Sequence, residues 1–267
     1  MRGYPIDLAK AQEFLLGTIV EAGEILRKYF HFETLKKKPK GDHDIVTEAD
    51  LAADSFIIKK LGKKFPDIPI LTEETSVGDF EKYKNMDLVW LVDPLDGTTN
   101  FFRRFPHFAV SIGLVFKSYP ILGAVYNPIY KNLYWAREDA SGAILNGRQI
   151  YVSRQENPFD SIICVDWSHD IAPRDKIVAT IQKLVGRVGH IKILGSAATD
   201  TASVASGQIE AYAHSHCLPW DTAAAALIAQ KAGAKVTDIN GGKWNVFTPG
   251  ILAANPVLHQ KILKLLQ

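Results

Sequence analysis

The stretch Trp90-Leu91-Val92-Asp93-Pro94-Leu95-Asp96-Gly97-Thr98-Thr99-Asn100-Phe101 constrains this chain more than any other. Leu88 to Val92 is an apolar run of strand length that stops at Asp93, where Pro94 blocks continuation of the strand. A buried strand therefore delivers two carboxylates, three positions apart, into a turn. Anions that close, at the end of apolar packing, repel each other and lose hydration unless a cation sits between them. Gly97-Thr98-Thr99 then offers small residues, backbone N–H groups and hydroxyls at a helix start, which suits a phosphate. Taken alone, the stretch also reads as an acidic turn with a threonine cap.

Other acidic clusters bear on that choice. Glu73 and Glu74 lie just past Ile70-Leu71, Asp44 and Asp50 flank Ile45-Val46-Thr47, and Asp221 follows Trp220. Individually these read as solvated glutamates, a turn aspartate with a capping pair, and the start of an alanine-rich helix. Together they form a hard-oxygen donor set without His-rich or Cys-rich company, which selects magnesium or manganese over zinc or copper. A pair of such ions clamps a phosphate ester and acidifies water, so no protein nucleophile is required. The chain has no Gly-x-Ser-x-Gly elbow, Walker-A loop or Gly-x-Gly-x-x-Gly fingerprint, which removes the usual hydrolase, kinase and dehydrogenase readings.

Composition sets the outer bounds. With 267 residues, 47% hydrophobic and 22% charged, the chain is of globular type. Only Cys164 and Cys217 could pair, which points to a reducing compartment. Thirty-one basic and twenty-nine acidic groups leave a net charge of +2, too little to steer the whole molecule onto nucleic acid or an anionic membrane. The longest uncharged run, Trp244 to Gln260, is broken by Pro249 and Pro256 and is no membrane span. Asp7, Lys10 and Glu13 interrupt any signal-peptide core, so a cytoplasmic protein is expected.

Periodicity divides the chain into two α/β halves, 1–150 and 151–267. Leu8, Ala11, Leu15, Ile19, Ala22, Leu26 and Tyr29 form one stripe of a long helix capped by Asp7. Leu35 to Asp42, with its lysines at 36, 37, 38 and 40, reads as an exposed loop, either a solvated charge run or a mobile strap over an anionic substrate. A second helix starts at Thr47 with Asp50 in its third position. After Gly78 come strand-like runs at 88–92, 109–116, 121–126, 133–136 and 143–145, a meander. Beyond residue 155, strands at 161–165, 190–194, 209–213 and 251–254 alternate with helices near 174–185, after Ser196, at 221–232 and from Pro256.

These motifs resemble the inositol monophosphatase family of magnesium-dependent, lithium-sensitive phosphatases over nearly the whole chain. Trp90 to Phe101 matches its signature, and Asp44-Ile45-Val46-Thr47-Glu48-Ala49-Asp50 its helix-start motif. Leu71-Thr72-Glu73-Glu74-Thr75 matches its glutamate pair, and Trp220-Asp221-Thr222-Ala223-Ala224 with Ala232-Gly233-Ala234 its C-terminal motif. The resemblance implies a layered αβαβα sandwich of the inositol monophosphatase and fructose-1,6-bisphosphatase type, commonly a homodimer. It implies Glu73, Asp93 and the Leu95 carbonyl as ligands of a first Mg2+, Asp93, Asp96 and Asp221 of a second, and a third, weaker ion near Glu73, with Mn2+ a possible substitute. Thr98, held by Asp50, would with Glu74 and Glu73 orient and deprotonate the attacking water. The Gly97 and Thr98 amides would hold the phosphate, and Gly195-Ser196-Ala197 would contact the alcohol.

The substrate so implied is a small-molecule phosphate ester, inositol monophosphate or a related polyol or sugar phosphate. Fructose 1,6-bisphosphate, adenosine 3′,5′-bisphosphate, histidinol phosphate and the NADP 2′-phosphate stand as alternatives, and a non-catalytic phosphate and metal-binding module as the rival from another class. His214 departs from the pattern, because inositol-specific members carry a glutamate seven residues before the second-metal aspartate. An imidazole accepts a single hydrogen bond where a carboxylate accepts several. His214-Ser215-His216-Cys217 lacks partners at zinc spacing and reads as a surface loop, His107 as a packed loop histidine, and Trp167-Ser168-His169-Asp170 as a substrate-side loop or an exposed turn.

Overall fold

The structure, a computed structural model, describes residues 4–32, 35–40, 45–75, 80–167 and 174–267. Asp44, Gly78 and Ser168 to Asp170 therefore lie outside the described residues. Helix α1 (Leu8–Phe30) buries Leu8, Ala11, Leu15, Ile19, Ala22, Leu26 and Phe30 along one stripe, and Asp7 caps it by accepting the Ala9 and Lys10 amides at 3.1 and 3.2 Å. The lysine segment is exposed as expected, but it is not all loop. Strand β1 (Lys37–Pro39) pairs antiparallel with β2 (Ile45–Thr47), because the backbone can satisfy itself in a hairpin while the side chains stay in water. Helix α2 (Glu48–Lys64) starts on a reciprocal cap, in which the Asp50 carboxylate accepts the Thr47 amide at 2.9 Å and Thr47 Oγ1 accepts the Ala49 amide at 3.2 Å.

A seven-stranded sheet follows: β3 (Ile70–Thr72), β4 (Leu88–Asp96), β5 (Ala109–Phe116), β6 (Tyr119–Asn127), β7 (Asn132–Arg137), β8 (Ala143–Leu145) and β9 (Arg148–Ile150), side by side in chain order. All neighbours are antiparallel except β3 with β4. The strand expected to end at Asp93 instead runs on to Asp96. Its register against β5 shifts between the pairs Asp93↔Ser111 and Asp96↔Ala109, so one extra residue is accommodated there. Pro94 sits in that bulge, where no ladder hydrogen bond is asked of its nitrogen.

The second sheet is mixed, in the order β11 (His190–Lys192), β10 (Ile162–Val165), β12 (Ala211–His214), β14 (Ile251–Ala254) and β13 (Lys235–Thr237). Strands β9 and β13, three residues each, carry too little alternation to be read from sequence. Helices α1 and α2 cover the outer face of the large sheet, α5 (Ala197–Ala205) and α6 (Pro219–Lys231) lie between the sheets, and α4 (Arg174–Leu184) packs with α7 (Pro256–Leu266), which lies on the small sheet. The five layers are the αβαβα sandwich that the motifs imply. No helix among the described residues is long and apolar enough to cross a membrane.

Helix α6 positions the site. It is buried nearly all round because it is sandwiched between two sheets. Its alanines lie on the glycines of the large sheet: a Cβ at Gly123 would stand 2.7 Å from the Ala224 Cα, and one at Gly113 would stand 3.2 Å from the Ala223 Cβ. That close approach fixes the first turn of α6, and with it Asp221, against the end of β4. Gly123→Ala is expected to cost about 1–3 kcal/mol through overpacking against helix backbone, read by chemical denaturation. Unchanged stability would show that the layers are not in this tight contact.

Candidate active site

A cavity of about 540 Å³ opens where the end of β4, the loop before α5, the ends of β10 and β12, and the start of α6 meet. Glu73, Asp93, Leu95, Asp96 and Asp221 line it, as do Gly97 and Thr98 at the start of the short helix α3 (Thr98–Phe102). Gly195, Ala197 and His214 line it too. Asp50, Glu74 and Ser196 stand behind this wall and reach it through other groups.

Each aspartate has one oxygen tied to the protein. Asp93 Oδ1 accepts the Leu95 amide at 3.0 Å, and Asp221 Oδ2, in the first turn of α6, accepts the Leu218 amide at 2.7 Å. Asp96 Oδ2 accepts the Ser196 hydroxyl and the Ala198 amide, at 2.5 and 2.9 Å, at the start of α5. Ser196 is thus both the cap of α5 and the clamp on Asp96. The Asp93 carboxyl also meets that of Glu73.

Burial dominates the electrostatics. It drives the Asp93 carboxyl well above the usual aspartate range, and the neighbouring Glu73, Asp96 and Asp221 add to it. Asp221 is raised far by burial and by Glu73 and Asp96, against the bond from Leu218. Burial lifts Asp96 to about 6 despite its bonds from Ser196 and Ala198. Four acids from three separate stretches therefore line one cavity.

No three His, Cys, Asp or Glu side chains among the described residues are already drawn into one coordination shell. The donor chemistry nevertheless fits a hard divalent cation: the set is all oxygen, each aspartate is pre-oriented by a backbone amide, and the raised carboxyls mark uncompensated negative charge. Lys40 already answers part of that charge. Its Nζ lies 2.8 Å from Glu73 Oε1 and 2.9 Å from Glu74 Oε1, so this member of the lysine run is ion-paired rather than free in solvent. The two glutamates hold it protonated above the ordinary lysine range although burial opposes its charge.

Gly97 turns the chain at φ +91°, and a Cβ there would meet the His107 carbonyl at 3.0 Å and the Gly195 carbonyl at 3.1 Å. Only glycine meets both demands. Thr98 Oγ1 lies 2.9 Å from Asp50 Oδ1 and 3.0 Å from the Leu95 carbonyl. Burial pushes Asp50 up to about 7, against hydrogen bonds from Thr47 and Thr98. The cap residue of α2 is therefore also the partner of Thr98.

The segment expected as a surface loop is a partly exposed loop only at Ser215 and His216. His214 ends β12, an interior strand of the small sheet, so it is only 6% exposed and its ring stacks on Tyr212. Cys217 is likewise buried and lines the cavity. His107 pairs through Nε2 with the buried Asp200 at 2.8 Å. Sequence reasoning missed Asn100, whose amide nitrogen lies 2.8, 2.7 and 3.2 Å from the carbonyls of His107, Leu194 and Gly195 and ties α3 to the substrate-side loop. It also missed Asp166, Arg174 and Tyr212 as cavity walls. Asp166 carried the one available signal, a carboxylate closing an apolar strand as Asp93 does.

The family model for the inositol monophosphatase family matches residues 7–267. Inositol monophosphatase 1 of Solanum lycopersicum is 37% identical over 264 residues, spanning 96% of this chain and 95% of that protein. Nus factor SuhB of Escherichia coli K12 is 34% identical over 245 residues, 91% and 90% of the two chains. The solved structure of extragenic suppressor protein suhB from Bartonella henselae superposes with a TM-score of 0.88 at 31% identity, covering 97% of this chain and 98% of that one.

Raised carboxyls set a stability test. An aspartate whose folded pKa exceeds its unfolded value near 4 keeps its proton longer when folded, so stability falls as pH rises through the gap. His259, pushed down to about 4 by burial, acts oppositely but only below its unfolded value near 6.5. In chelator, the melting temperature is therefore expected to fall as pH rises from about 4 to about 7, the span set by Asp96 at about 6 and Asp50 at about 7, which together outweigh His259, and magnesium to reverse the fall. A flat or rising profile in chelator would contradict the buried acid cluster.

Proposed function

The chain belongs to the inositol monophosphatase family, and on that premise we propose that it is a magnesium-dependent phosphomonoesterase acting on small polyol or sugar phosphates, inositol monophosphate foremost. The observation that carries this reading is the convergence of Glu73, Asp93, Asp96 and Asp221 on one cavity beside the Gly97-Thr98 turn. Glu73, Asp93 and the Leu95 carbonyl would hold one Mg2+, and Asp93, Asp96 and Asp221 a second. When bound, the ions supply positive charge against the ester oxygens and acidify water.

The protein's own groups do the positioning. The amides of Gly97 and Thr98 are the donors for the phosphate, where the left-handed turn presents consecutive N–H groups. Thr98 Oγ1 has one proton, and giving it to Asp50 leaves its lone pairs to accept a proton from an attacking water. Asp50 can take that bond fully only when ionised, so activity is expected to decline below its value of about 7. Glu74, raised by burial and bonded to Lys40, is the further acid beside that water once Lys40 moves aside. Attack in line with the leaving alcohol releases phosphate and the alcohol with no phosphoenzyme.

Two other readings have an observation behind them. His214 in place of a glutamate favours one of the other family substrates named above. The relative named Nus factor SuhB favours a binding role without turnover. The same proposal takes the protein as a cytoplasmic homodimer. Phosphate release from a panel of esters with magnesium separates the readings. Asp93→Asn is expected to abolish release by removing a donor from both ion positions. Thr98→Ala is expected to lower kcat about a hundredfold with little change in KM. A wild type that binds phosphate yet releases none from any ester would dismiss the enzyme, and an undiminished Thr98→Ala rate would dismiss the water-orienting role.

A further inference from the structure

Asp166 is a cavity-lining acid that the phosphatase reading leaves unused. It directly follows β10, whose Val165 pairs in parallel with Ala213 of β12. Asp166 and His214 therefore stand side by side at the carboxyl ends of two parallel strands, where open α/β sheets receive ligands. Asp166 Oδ1 accepts the Trp167 amide at 2.8 Å, which orients the carboxyl. Burial first, then the charge of Asp200, keeps that carboxyl well above the ordinary aspartate range.

Tyr212 stands on the same wall. Its side chain is fully buried, and its hydroxyl lies against the Asp166 carboxyl and the Cys217 thiol. A hydroxyl shut away from the cavity does not meet a ligand itself, so Tyr212 acts through the Asp166 carboxyl that it holds. His214 cannot serve as the acceptor. Its Nδ1 already accepts the His216 amide at 3.0 Å, and a neutral imidazole has a single acceptor. Trp167, 41% exposed, adds an aromatic surface to the cavity, with the Arg174 guanidinium 5.5 Å over its ring. A carboxyl beside an aromatic face matches a ring that carries hydroxyls on its rim and C–H groups on its faces.

We infer that Asp166, positioned by the Tyr212 hydroxyl behind it, takes the hydroxyls of the substrate's alcohol in place of position 214 and sets the preference of the site for hydroxyl-bearing ring esters. This rests on the phosphomonoesterase reading and adds its specificity determinant. The wild type, Asp166→Asn, Tyr212→Phe, and Asp166→Asn combined with His214→Glu are compared for kcat/KM on inositol 1-phosphate and on phenyl phosphate, which carries no hydroxyl.

Asp166→Asn is expected to lower the ratio of the two values about two- to tenfold, the effect of losing one hydrogen bond. Adding His214→Glu is expected to recover part of it, which a merely structural role for Asp166 does not predict. Tyr212→Phe, which keeps the ring, is expected to lower the same ratio and serves if Asp166→Asn does not fold. An unchanged ratio in the single variants overturns the inference. Should the wild type cleave neither ester, the catalytic reading fails by itself. The inference is then decided by calorimetric binding of inositol 1-phosphate, weaker in Asp166→Asn if it holds and equal to the wild type if it does not.

Discussion

Mutual repulsion among buried carboxylates is the constraint to which the rest of this molecule answers. Two unit charges about 4 Å apart repel by about 4 kcal/mol at an effective dielectric near 20, and a domain is stable by only about 5–15 kcal/mol in total. Asp93, Asp96 and Asp221 cannot all stay ionised side by side without help. Protons are one answer, visible in the raised carboxyls of Asp93, Asp96 and Asp221. Lys40 between Glu73 and Glu74 is another. On the proposed function a divalent cation would be the third, and would turn the cost into chemistry.

The architecture serves to hold that unfavourable arrangement together. The bulge at Pro94 keeps β4 in the sheet long enough to carry both Asp93 and Asp96 to its end. The glycine and alanine contact between β5, β6 and α6 brings Asp221 to the same point from more than a hundred residues away. Helix starts do double duty: Asp50 caps α2 and bonds Thr98, Ser196 caps α5 and clamps Asp96, and Asp221 bonds back to Leu218 in the first turn of α6. Because site and helix termini share residues, disturbing one disturbs the other.

What was legible in the sequence was local or strongly patterned. The stripe of α1, the reciprocal cap at Thr47 and Asp50, the strand into Asp93 and the meander all depend on neighbours within a few residues. The remainder depended on partners distant in sequence. A proline after Asp93 reads as a stop until β5 supplies the register that makes it a bulge. His214 reads as loop because its burial comes from β10 and β14 on either side. Lys40 looks like any lysine in a basic run, and its two glutamates lie more than thirty residues on. The acceptors of Asn100 among Leu194 and Gly195 leave no local trace at all.

Proton release on magnesium binding tests the central claim most directly. Calorimetric titration of the metal-free protein in two buffers of different ionisation enthalpy, near pH 6.5, counts the protons that leave as the ion enters. Carboxyls raised by burial and by one another must give up their protons to bind, so release into the buffer is expected, diminishing as pH rises and reduced in Asp93→Asn. Magnesium binding with no proton release, or release unaltered by that substitution, would contradict the account.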